Sequence, residues 1–169
     1  GKSVAGDDRT PPWTWIGYLY HDTHNIGMDS DNIMTCLREG GAKIKVGNGK
    51  ETFKKHTQSG ISLDQFHWDL LINDNPVPVG PINALIGNMD FAEHLKVADD
   101  LGFELLVKRA RVQRAKHIRV RPLFRNWTLV GSLTVIDPEL SGITQDVLQL
   151  ILNWSGAMCG IGDWRPSSG

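Results

Sequence analysis

Residues 108 to 125, KRARVQRAKHIRVRPLFR, carry eight Lys or Arg, one His and no carboxylate, in a chain whose formal net charge is −1. The whole chain has 18 basic and 19 acidic side chains, so outside this stretch ten basic residues stand against 19 acidic ones. From Leu105 to Ile136 there is no Asp or Glu, and the sequence offers the stretch no neighbouring counter-charge. Such segregation points to an anionic partner. Phosphates spaced along a backbone let a row of cations neutralise several at once, whatever the base sequence. The candidate contacts are Lys108, Arg109, Arg111, Arg114, Lys116, His117, Arg119, Arg121 and Arg125. The competing reading is a solvated strand edge guarded against pairing with other chains, for which one or two charges suffice. Phe124 and Trp127 interleave with these cations as rings do in grooves for single strands. Both also fall in a strand pattern and read first as core anchors.

Other chemistry is weaker. His21, Asp22 and His24 follow an aromatic run and could hold a metal or act as a base, but no third and fourth ligand stands at a known spacing. A polar turn is the favoured reading, with His21 and His24 as further candidates for an RNA backbone or base. GIGDWRPSSG combines glycines, whose N–H groups can approach phosphate, with Trp164 and Arg165. It lacks the Lys-Ser/Thr ending of a P-loop and the dinucleotide fingerprint. GNGK at 47 to 50 reads as a tight hairpin turn. No GxSxG, HExxH or Cys/His pairing occurs at a recognised spacing. The expectation is a binding protein without catalytic residues, metal or cofactor.

The elements that must position these residues follow from periodicity. At 169 residues the chain is expected to form one domain, with an insertion or loop-rich region at about 43 to 102. Hydrophobic content of 40% and charged content of 22%, without a long apolar run, exclude a helical membrane span. Cys36 and Cys159 form no CxxC pair, and no apolar signal region follows GKSVAG, so a reducing, cytoplasmic setting is expected. WTWIGYLY, 13 to 20, reads as a strand after Pro11-Pro12. Asp29 or Ser30 would cap a helix with Ile33, Met34 and Leu37 on one face, ended by Gly40-Gly41. Residues 43 to 62 read as irregular strands and loops, and NMDFAEHLKVADDL as a helix presenting Phe91, Leu95 and Ala98. FELLVKRARV and KHIRVRPLF read as strands, the second placing His117, Arg119 and Arg121 opposite Ile118 and Val120. WTLVGSLTVI, 127 to 136, reads as one strand in which Gly131 marks a bulge or a close approach. Thr144 would cap a last helix that turns Val147, Leu148, Ile151 and Leu152 inward.

An early β-α and a late β-α-β around a strand-rich middle describe an α+β domain with a ferredoxin-like or RRM-like β-α-β-β-α-β core and an inserted irregular region. The segments IMTCLREGGAKIKVGNGKETFKK, HIRVRPLFRNW and TQDVLQLILNWSGAMCGIGDWRP resemble the RAMP superfamily of CRISPR-associated proteins, most closely the Cas7-like backbone subunits. In that family a first helix follows strand one, and a late helix leads into a Gly-rich turn. The resemblance implies a ribonucleoprotein subunit that coats a guide or other single-stranded RNA, several copies side by side. A complementary nucleic-acid target would be a further partner. Two other classes stand beside it: a protein sequestering a small anion such as a cyclic nucleotide, and a metal-dependent nuclease using His21, Asp22 and His24.

Overall fold

In the computed structural model, which describes residues 12–112 and 115–161, the aromatic run after Pro11-Pro12 is a 3-10 helix, Pro12–Tyr18, and not the expected strand. Of residues 12–13, 109–112 and 115–117 the backbone alone is described, and Arg114, Trp164 and Arg165 lie outside the described residues. The physical reason for the helix is visible in burial. Trp15 and Ile16 are consecutive and both buried, which a strand with alternating faces could not arrange against a single core. Proline, with φ held near −65°, is suited to the first turn of a helix.

The chain continues through β1 (Gly27–Asp29), α1 (Ser30–Gly41), α2 (Lys54–Gly60), β2 (Ile61–Leu63), β3 (His67–Ile72) and β4 (Asn75–Pro76). It then forms α3 (Gly80–Asn83), α4 (Phe91–Asp100), β5 (Glu104–Val112), β6 (Ala115–Leu123), β7 (Trp127–Val130) and β8 (Leu133–Val135). Next come α5 (Pro138–Ser141), α6 (Gln145–Trp154) and a π-helical turn, Ser155–Cys159. The protein is mixed α+β with small antiparallel sheets. It divides into two compact units, Gly1–Gly27 with Asp69–Val130, and Met28–Trp68 with Gly131–Gly169. No helix among the described residues is long and apolar enough to cross a membrane.

The first unit has its own apolar core, including Trp15, Ile26, Leu70, Ile72, Ile82, Phe103 and Leu105. β3 pairs antiparallel with β7, from Asp69 opposite Val130 to Ile72 opposite Trp127. It also turns tightly into β4 through Asn73 and Asp74, whose φ values of 49° and 63° are the left-handed pair that a two-residue hairpin turn requires. Asp90 caps α4, accepting a hydrogen bond from Ala92 N at 3.0 Å. The inward face of α4 differs from expectation: His94 and Ala98 are buried, whereas Leu95 is 44% exposed. A histidine can take the inner position because both ring nitrogens are satisfied. Trp15 Nε1–H donates to His94 Nδ1 at 3.0 Å, and His94 Nε2–H donates to the Asn88 carbonyl at 2.9 Å.

The second unit packs around Ile33, Leu37, Phe53, Ile61, Ile143 and Ile151. α1 covers the expected residues, with Ile33 and Leu37 buried. Gly40 and Gly41 do not end it by a left-handed turn; they lie within it, where other elements press close. A Cβ on Gly40 would stand 2.6 Å from the Ile151 carbonyl oxygen of α6, and one on Gly41 would stand 3.0 Å from the Phe53 carbonyl oxygen. Gly40→Ala is therefore expected to destabilise this unit by about 1–3 kcal/mol, because backbone atoms have to move. Gly156→Ala, with open space around it, should change stability by less than about 0.5 kcal/mol. Urea denaturation of the two variants checks the difference.

Several expectations are corrected here. KKHTQSG, placed among irregular strands and loops, forms α2. WTLVGSLTVI is not one strand but β7 and β8, which lie in different sheets. Gly131 between them is a close approach, since a Cβ there would collide with the Trp68 ring. β8 pairs with β2, Ile61 opposite Val135. Residues 43–102 supply Phe53 and Ile61 to one core and Leu70, Ile72, Val77, Ile82, Leu85 and Ala98 to the other. α6 carries the expected Thr144 cap, accepting from Val147 N at 3.3 Å, and buries Ile151, but Leu152 is 39% exposed. Cys36 and Cys159 are both buried.

Candidate nucleic-acid interface

The basic stretch folds as the antiparallel hairpin β5–β6, paired from Glu104 opposite Leu123 to Val112 opposite Ala115. Lys108 stands opposite Arg119, and the next position on the same face sets Leu106 opposite Arg121. Lys108 and Arg119 are exposed, and Arg121 is half-buried. The reverse face begins in the core with Leu105 and Val120 and continues as exposed Val107 and Ile118. The alternation of Arg119 and Arg121 against Ile118 and Val120 thus carries over to the folded hairpin. For Arg109, Arg111, Lys116 and His117 the hairpin register is described: they stand opposite Ile118, Lys116, Arg111 and Ala110 respectively.

Arg125 is set apart from this group. Its Nε donates to Glu104 Oε1 at 3.0 Å and its Nη2 to Glu104 Oε2 at 3.5 Å. The hydrogen bond to Glu104, and then the Glu104 charge, raise the guanidinium above its ordinary range. The acid-free run from Leu105 to Ile136 therefore does have a counter-charge in space, because hairpin pairing returns the chain to the residue just before that run.

Arg121 meets an aromatic ring the sequence pattern did not single out. Its Cζ lies 3.5 Å from the centroid of Tyr18, the last residue of the 3-10 helix. Its Nη1 also donates to the Val120 carbonyl at 3.2 Å. In the sequence Tyr18 stands within WTWIGYLY, whose aromatic and β-branched content reads as a strand. Of the two aromatics within or beside the basic stretch, Phe124 packs on Phe103 at 5.0 Å between centroids, as a core anchor. Trp127 is 44% exposed, opposite Ile72 at the start of β7.

His21 and His24 fall on a tight polar turn of the same unit. The Asp22 carboxylate accepts from His24 N at 2.6 Å and Asn25 N at 2.7 Å, while Asp22 N donates to the Asn25 carbonyl at 3.1 Å. His21 Nδ1–H donates to the Asp22 carbonyl at 2.6 Å. Among the described residues, neither histidine belongs to a cluster whose ligand atoms converge on one point. In the second unit, GNGK closes a turn bridged by Lys45 and Thr52, with Gly47 at φ 58°. That conformation belongs to a hairpin turn. Comparison with protein-family models, curated proteins and solved structures finds no match for the chain.

Proposed function

We propose that the protein binds single-stranded RNA along the β5–β6 hairpin and acts by binding, not by catalysis. The observation that carries this reading is the grouping of Lys108, Arg119 and Arg121 on one hairpin face, in a chain otherwise rich in acid. Two or three cations at strand spacing match successive phosphates, and the acidic remainder disfavours adhesion elsewhere on the chain. The relation to RAMP-type, Cas7-like subunits and to a ferredoxin-like core belongs to the same proposal. It extends the reading to several copies side by side on one guide RNA, in a cytoplasmic ribonucleoprotein.

Native mass measurement on RNAs of increasing length tests both parts. Bound copies should rise in steps with length, and affinity should fall linearly on a log-log plot against salt. A one-to-one complex at every length, with little dependence on salt, would reject the coating function and favour a pocket for one small anion.

A further inference from the structure

We infer that Tyr18 and Arg121 form a stacking step for one unpaired nucleobase, beside the backbone contacts of Lys108 and Arg119. The inference rests on the RNA-binding reading and deepens it, because it makes a base face, and not only phosphate, part of what is recognised. The geometry begins with the 3-10 helix. Trp15 and Ile16 are 0% and 6% exposed and already hold that helix to the core, so Tyr18 is not needed as its anchor. Tyr18 keeps 40% exposure even with the Arg121 guanidinium lying 3.5 Å from its ring centroid. Tyr20, two residues on, is also 40% exposed.

A guanidinium over a ring is a flat, cationic, weakly hydrated surface. Arg121 is held there by its hydrogen bond to the Val120 carbonyl at 3.2 Å. A base can stack against the exposed part of such a ring and guanidinium while the adjoining phosphates meet Lys108 and Arg119, which share the Arg121 face. Bases inside a duplex have both faces covered, so the fitting ligand is a single strand. Every base has a π-face, so the step reads strandedness and not sequence.

The test uses the full chain, a short single-stranded RNA carrying one 2-aminopurine, and inorganic polyphosphate of matched charge. Wild type should quench the fluorescent base on binding. Tyr18→Leu should abolish the quenching and weaken RNA binding by about tenfold, while polyphosphate affinity stays within about twofold. Arg121→Lys keeps the charge but not the plane, and should likewise lose quenching while retaining polyphosphate binding. Tyr18→Phe keeps the ring and should behave as wild type. If Tyr18→Leu binds and quenches like wild type, the stacking step is overturned and the basic-face reading stands. If Tyr18→Leu weakens RNA and polyphosphate equally and lowers the melting temperature, Tyr18 is structural and the step is again overturned. If wild type binds neither ligand, the RNA-binding reading itself fails.

Discussion

Replacing Arg119 and Arg121 together by alanine is expected to weaken single-stranded RNA binding by at least about tenfold at fixed salt. Arg119 is the phosphate contact of the two and Arg121 the stacking surface, so the magnitude of the log-log salt slope should also fall by about 0.7, the value per phosphate for a single strand. Both residues lie on one strand face beside Lys108, so the change removes adjacent contacts without opening a cavity. Arg121 also lies over Tyr18, and losing that contact costs roughly 0.5–1 kcal/mol, small beside the stability of a domain. Arg125→Ala serves as the comparison. Its guanidinium is engaged by Glu104, so its loss should weaken binding less than the loss of Arg119. Fluorescence anisotropy across a salt series checks the double variant, Arg125→Ala and Arg119→Ala. Equal affinity for the double variant and wild type would remove the hairpin from the interface.

The largest stability effect is expected at Trp15. Trp15→Ala should destabilise the first unit by about 3–5 kcal/mol, the usual cost of deleting a buried large aromatic. Trp15 is 0% exposed, meets Phe103 edge-on at 5.8 Å, and donates to His94 Nδ1. Trp15→Phe separates packing from hydrogen bonding. It keeps an aromatic ring but leaves the buried Nδ1 without its donor, an expected cost of about 1–3 kcal/mol. Urea denaturation followed by circular dichroism measures both variants. A Trp15→Ala protein as stable as wild type would contradict the core as described. Because each unit has its own core, the transition is expected to show two steps in this variant.

The elements legible in the sequence are those whose signal is local. The alternation in KHIRVRPLF predicts β6, and its partner FELLVKRARV predicts β5, because side-chain direction in a strand repeats every two residues. α1 is legible from its apolar spacing, its N-terminal Asp29 making no side-chain cap hydrogen bond, and α6 from apolar spacing together with the Thr144 cap. The basic face was readable for the same reason. WTWIGYLY reads as a strand yet folds as a 3-10 helix, because aromatic and β-branched content is shared by strands and buried helical turns.

By itself the sequence determined where charge is concentrated, which stretches alternate and where helices can start. Folding decided which distant residues meet. Glu104 reaches Arg125 because a hairpin returns the chain, although Asp137 is nearer to Arg125 in sequence. Tyr18 reaches Arg121 across about a hundred residues, and Trp15 reaches His94 across 79. Gly40 looks like a helix stop until the Ile151 carbonyl occupies the space a Cβ would need, and of the bulge and the close approach that Gly131 allows, the Trp68 ring decides for the close approach. The division into two units is likewise invisible locally, since each joins segments separated by the other. Packing and hydrogen bonding depend on distance in space, and nothing in a local pattern encodes which remote segment will fill a given face.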